Sequence, residues 1–188
     1  MAEAGAQAHG WVFGYGSLMW RPGFPHRRVL PALLPGYHRS FCVYSRHWRG
    51  TPAEPGLVLG LAPGGECQGL AFEVAPADWS WVRAYLDERE LVAYAYVAHE
   101  LPVVIGDETV TAYTFVADPA HPHYAGELPA EQAAEIIVRA EGVAGLNRDY
   151  LIETVRRMQA EGFADDRLRA LLAHVERLTG ILDAGGGI

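Results

Sequence analysis

Two hydrophobic textures divide the chain. From residue 11 to about 117, apolar residues come in short runs broken by Gly and Pro: WVFGY, RSFCVYS, LVLGLA, CQGLAFEVA, AYVAHELPVV and TVTAYTFVA. Runs of this length, rich in β-branched and aromatic residues and bounded by turn formers, predict strands. One helix is expected among them, with Pro76 in its first turn and Trp79, Val82, Tyr85 and Leu86 on its apolar face. From residue 129 onward the spacing becomes helical. PAEQAAEIIVRA starts after a proline, and NRDYLIETVRRMQAEG has Asn147 as N-cap and Gly162 as stop. DDRLRALLAHVERLTGIL sets Leu168, Leu171, Leu172, Val175, Leu178 and Leu182 in one stripe, as core packing requires. Sequential strands followed by helices imply an α+β fold. Its sheet is expected to be mixed or antiparallel and curled towards a small barrel, with a helical C-terminal part. A single domain over 11–182 is expected, with 1–10 and 183–188 as flexible termini and GTPAEPG (50–56) as a surface loop.

Composition narrows the class. The chain has 188 residues, half of them apolar. A chain of this size buries roughly two-thirds of its unfolded surface and needs no disulfide or metal staple. Its two cysteines, Cys42 and Cys67, and an N-terminus without the pattern of a signal peptide point to a reduced, cytoplasmic protein. No apolar run approaches the ~20 residues of a membrane span. A net charge of −8 argues against a nucleic-acid partner. The arginines at Arg27–Arg28, Arg46–Arg49 and Arg156–Arg157 read as solvated faces.

Three features carry candidate chemistry. His121 and His123, in HPHY, are two apart across a proline with no second ligand pair nearby, so no metal site is expected. Ser17, in GYGSL, is not a nucleophile elbow, because Met19 stands where the last glycine belongs. GYG likewise lacks the third glycine of a dinucleotide fingerprint. What GYGSL does offer is backbone freedom. Positive φ at Gly14 and Gly16 would gather successive N–H groups into a nest for a carboxylate or other anion, with Ser17 as a further donor and Tyr15 as a wall. A β-bulge without a ligand explains the same glycines.

The third feature is YLDERELVAY, residues 85–94. Glu90 falls at the C-terminal end of the expected helix beside Asp87 and Glu88. The helix dipole, like charges and burial all raise a carboxylate pKa there, which suits a general base. A solvated acidic surface with Arg89 as counter-ion is the competing account.

Taken together, WVFGYGSLMW and the downstream YLDERE resemble the ChaC-type γ-glutamylcyclotransferases. The likeness runs on through RGTPAEPGLVLGL and HPHYAGELPAEQAAEII to GLNRDYL. It implies a γ-glutamylcyclotransferase-like fold, a small barrel with flanking helices. It also implies a cofactor-independent lyase that converts glutathione to 5-oxoproline and cysteinylglycine. By the same resemblance, Gly14, Tyr15, Gly16, Ser17, Leu18 and Met19 hold the γ-glutamyl group, Glu90 is the catalytic base, and Tyr124 stands at the site. The partner is then a small γ-glutamyl molecule, with no nucleic acid and no membrane. The rivals are a cyclotransferase for other γ-glutamyl peptides or amines, and a catalytically silent γ-glutamyl-binding module. One departure bears on the leaving group. Many members continue R-E-K-G-G-Y, whereas this chain reads RELVAY, with Leu91, Val92 and Ala93 in place of Lys-Gly-Gly.

Overall fold

The computed structural model describes residues 10–91 and 95–180. Val92, Ala93, Leu182, residues 1–9 and the expected flexible C-terminus 183–188 lie outside these residues, whereas Gly10, expected in the flexible N-terminus, is the buried first residue of a strand. The elements in order are β1 (Gly10–Gly14), a 3₁₀ turn (Ser17–Met19), β2 (Arg28–Ser45), β3 (Gly56–Val74) and α1 (Trp79–Glu90). They continue with β4 (Tyr96–Ile105), β5 (Glu108–Ala117), α2 (Ala130–Arg139), β6 (Glu141–Gly142), β7 (Gly145–Leu146), α3 (Asn147–Ala160) and α4 (Asp166–Thr179). Five strands form a closed barrel in the order β1-β3-β2-β4-β5. Its neighbours are antiparallel except where β1 meets β5, in parallel, at Val12 and Tyr113.

The alternation of Val12, Phe13, Leu57, Leu61, Phe72 and Phe115 explains the barrel's two sides. Phe13, Leu57, Leu59 and Leu61 join a core completed by α2, α3 and α4. Val12, Phe72, Val82, Leu86 and Phe115 form a second core under α1. Helix α1 therefore lies on the barrel with Val82 and Leu86 fully buried.

Four expectations need correction. The runs RSFCVYS, LVLGLA and CQGLAFEVA are parts of two long strands, β2 and β3, and not three short ones. Pro31, Pro35 and Gly36 look like breakers, but Pro31 and Pro35 are exposed and a register shift between Pro35 and Tyr37 absorbs the irregularity. Proline is tolerated where its missing N–H interrupts no interior ladder. On the opposite strand, Gly64 and Gly65 take φ of 98° and 69°, which carries β3 through Pro63 without ending it. Pro76 is not in the first turn of α1. It precedes Asp78, the N-cap, in a turn in which Asp78 N–H donates to Ala75 O. Finally, the leucine stripe of α4 buries Leu168, Leu171, Leu172 and Val175 but leaves Leu178 54% exposed, because α4 outruns the core beneath it.

Asn147 is likewise no cap. It opens α3 fully buried, and its side-chain amide accepts from Leu57 N–H at 2.7 Å and donates to Leu57 O at 2.8 Å. The side chain thus acts as one more strand residue alongside β3 and fixes α3 to the barrel. Asn147→Ala strands both Leu57 groups without water. The expected loss is at least about 2 kcal/mol, since two buried groups are left unpaired at ~1–3 kcal/mol each. Urea unfolding checks it, and Asn147→Asp, which keeps only the acceptor, should fall between the two.

Candidate active site

Where β1 ends, the chain folds back on itself. A Cβ at Gly14 would sit 3.1 Å from Leu18 Cβ and 3.2 Å from Phe72 Cε2, so any side chain here would crowd the following turn. Met19 N–H donates to Gly16 O at 2.9 Å and Arg21 N–H to Ser17 O at 2.8 Å, closing the 3₁₀ turn. Neither Gly14 nor Gly16 has positive φ, and Gly16 lies at φ −134°, ψ −130°. The expected nest geometry is therefore absent, and the glycines serve close packing. The turn still leaves the N–H groups of Gly16, Ser17 and Leu18 without an acceptor among the described residues, as the start of any helical turn does.

Two arginines hold this loop. Arg39, on β2 and only 3% exposed, donates through Nε to Tyr15 O at 2.6 Å and through Nη2 to Gln68 O. Its Nη2 also lies 3.7 Å from Met19 Sδ, and its Nη1 lies 3.6 Å from Asp165 Oδ2. Arg89, on the last turn of α1, donates to Arg21 O at 2.7 Å, Pro22 O at 3.2 Å and Ser17 Oγ at 3.1 Å. The same guanidinium pairs with Glu90 Oε1 at 3.1 Å. One side chain thereby ties the loop to the carboxylate beside it.

Glu90 lines a cavity of about 260 Å³ with Tyr15, Gly16, Ser17 and Leu18. Its other walls come from Trp48 and Arg49, Val58 and Leu59, Tyr96, Phe115, Ala144 and Tyr150. The Glu90 side chain is 19% exposed. Burial raises its carboxyl above the ordinary 4.5, against the opposing pull of Arg89. The like charges expected to help do not act. Asp87 accepts from the Tyr113 hydroxyl, and Glu88 faces solvent. Tyr15, Tyr96 and Tyr150 are all pushed up, first by burial and further by the Glu90 charge, with Tyr150 reaching about 12. Their hydroxyls are therefore neutral at physiological pH. Tyr96 spends its proton on Leu59 O at 2.5 Å.

The expected site residues thus divide. Tyr15, Gly16, Ser17, Leu18 and Glu90 line one cavity. Gly14 and Met19 do not line it and support the loop from behind, with Met19 5% exposed in the core under α1. Tyr124 does not line the cavity; it is bridged to Val43 and packs against the cluster of Cys42 and Val43, as the cavity residues Tyr96 and Tyr150 also do. Arg49 was expected on a solvated face and instead forms part of the wall. Tyr96 and Tyr150 come from segments whose sequence resembles ordinary strand and helix, and no local signal marks them. Cys42 and Cys67 are free and buried. Among the described residues no group of three or more His, Cys, Asp or Glu could hold a metal ion, and no helix is long and apolar enough to cross a membrane.

A carboxylate of raised pKa, a loop with open amides and three tyrosines in one cavity can manage protons on a small polar substrate. Comparison with known proteins bears on which. The glutathione-specific gamma-glutamylcyclotransferase of Escherichia coli (strain K12) is 34% identical over 169 residues, covering 89% of this chain and 73% of that protein. The enzyme of the same name from Schizosaccharomyces pombe (strain 972 / ATCC 24843) is 35% identical over 166 residues, covering 78% and 81%. Among solved structures, a gamma-glutamylcyclotransferase specific to glutathione from yeast matches with a TM-score of 0.80. Identity there is 22%, with 90% of this chain and 96% of that one covered, so the fold is shared. A family model described as ChaC-like protein matches residues 10–178. The chain belongs to the ChaC-like protein family.

Proposed function

We propose that this protein is a γ-glutamylcyclotransferase that cleaves glutathione to 5-oxoproline and cysteinylglycine. The observation that carries this is Glu90: a shielded carboxylate of raised pKa, tied through Arg89 to the Gly16–Leu18 loop on the same cavity. The names of the similar proteins supply the substrate.

The chemistry needs little beyond these parts. A γ-glutamyl amide brings its own nucleophile, the α-amine, five atoms round from the γ-carbonyl. Closing the lactam is intramolecular, and holding the chain bent exploits a large effective molarity. At neutral pH that amine is an ammonium carrying three protons. Glu90 takes one, and the freed nitrogen attacks the γ-carbonyl. The tetrahedral adduct then breaks its bond to the cysteinyl nitrogen, which needs a proton to leave as an amine. Of the three original protons, one stays on the lactam nitrogen and two end on the amino group of cysteinylglycine. Glu90 returns to its starting state. The open amides of the loop and the Tyr15 and Tyr150 hydroxyls are donors for the α-carboxylate and the developing oxyanion. Cytoplasmic action suits this reading, because burial holds the unpaired Cys42 and Cys67 thiols up at about 12 and about 11, unreactive beside a thiol substrate.

Release of 5-oxoproline from glutathione is the decisive assay, with γ-glutamyl-alanine alongside. Turnover of glutathione is expected to dominate. Equal turnover of both would favour the broader γ-glutamyl peptide activity, and none with either would leave a binding module. The acid limb of kcat/KM should also have its midpoint above 4.5, because Glu90 works as a base and burial raises its pKa. A limb in the ordinary carboxylate range would assign the base elsewhere.

A further inference from the structure

Arg49 and Glu90 are the two charged residues that line the cavity, and they stand on different walls. Glu90 has Arg89. Arg49 has no carboxylate partner among the described residues, in a chain of net charge −8. Its Nη1 donates to Leu146 O at 3.2 Å, and its guanidinium lies 5.3 Å from the centre of the Tyr150 ring. The remaining donors have no acceptor among the described residues. A guanidinium stacked on an aromatic ring and held by one carbonyl keeps a fork of N–H groups ready for a carboxylate.

The wall around it is firmly built. The β6–β7 hairpin clips onto the 47–49 segment: Val143 N–H donates to His47 O, and Ala144 N–H to Trp48 O, both at 2.9 Å. A Cβ at Gly142 would come within 2.5 Å of His47 O and Trp48 O, so the two backbones touch. Trp48 stands 45% exposed at the rim of this wall.

Glutathione carries two carboxylates. One shares a carbon with the attacking amine and must stay at the Glu90 end. The other terminates the leaving dipeptide, two residues past the scissile bond, roughly 7 Å away at ~3.5 Å per residue. We propose that Arg49 binds this terminal carboxylate, with Trp48 flanking the dipeptide, and so sets the enzyme's preference for its leaving group. This rests on the cyclotransferase reading above and names the leaving-group subsite of that same cavity.

The test compares kcat/KM for glutathione and for its glycine carboxamide, which differs only in losing that negative charge. Wild type should prefer the acid by ~10–100-fold, the range of one charge-assisted hydrogen-bonded contact. Arg49→Met should cost glutathione at least tenfold more than it costs the carboxamide, chiefly through KM. Arg49→Lys, which keeps the charge but not the fork, should restore part of the preference. Two results overturn the assignment while leaving the activity standing: wild type turning over both substrates alike, or Arg49→Met slowing both equally. If Arg49→Met does not fold, Arg49→Lys decides by the same ratio. Failure of wild type to release 5-oxoproline from glutathione at all would sink the activity itself, and this subsite with it.

Discussion

Glu90→Gln is expected to lower kcat by ~10²-fold or more, the usual scale for a positioned acid–base group. The substitution keeps the size and hydrogen-bonding shape of the side chain, so Arg89 can still bridge to Ser17, but glutamine accepts no proton at neutral pH. Binding should change less, because the loop contacts survive. Glu88→Gln, at an exposed position one turn face away, should resemble wild type. Stability moves the other way. Burial raises Glu90's pKa in the folded protein, so the folded state binds the extra proton between 4.5 and the raised value. The contribution of this group is therefore fullest below pH 4.5 and is lost as pH rises through the folded pKa. Glutamine carries no such charge, and the variant should melt no lower than wild type at pH 7. A variant that melts like wild type and turns over normally would remove Glu90 from the mechanism.

The second large effect is expected at Arg39→Met. The arginine is buried and holds Tyr15 O, Gln68 O and Asp165 at once. Methionine fills similar volume but leaves two carbonyls and a mostly buried carboxylate without their partner. Breaking a buried ion pair from one side costs ~3–5 kcal/mol. For a chain of this length that means a fall in Tm of order 10 °C, readable in a thermal melt. Asp165→Asn should cost less, since an asparagine oxygen can still cap α4 by accepting from Leu168 N–H, as Asp165 does at 3.1 Å. Activity offers a second readout. With Tyr15 O released, the loop loses its anchor on β2, and KM should rise even where the protein still folds. A melt within a degree or two of wild type would show that the loop is held from elsewhere.

The α+β class and the barrel were legible because strand and helix periodicities differ and change over once along the chain. Glu90 was marked as an acid placed where a helix end disfavours it, but a solvated surface accounted for that equally well, and only the resemblance chose between the two. What failed to show were facts set by distant partners. Arg39 reads as one more polar residue in a strand until the loop after β1 is laid across it. Arg49 reads as a surface charge until the β6–β7 hairpin, nearly a hundred residues on, walls it in. Asn147 has the right identity and place for an N-cap, but burial against β3 gave its amide better partners. At Gly14 and Gly16 the positive φ expected of a nest is absent, since a missing side chain serves close packing as well as unusual dihedrals, and sequence does not separate the two.

The parallel contact between Val12 and Tyr113 has a consequence for how the chain assembles. The first strand is the seam of the barrel, and its second partner leaves the ribosome about a hundred residues later. β1 can pair early with β3, but one edge stays bare until β5 arrives, and a bare edge invites other strands. The loop that follows β1 inherits that delay. Its geometry depends on the last strand to join, so pulse-labelled hydrogen exchange during refolding should find the β1 amides that face β5 protected on one timescale with Tyr113, after those that face β3.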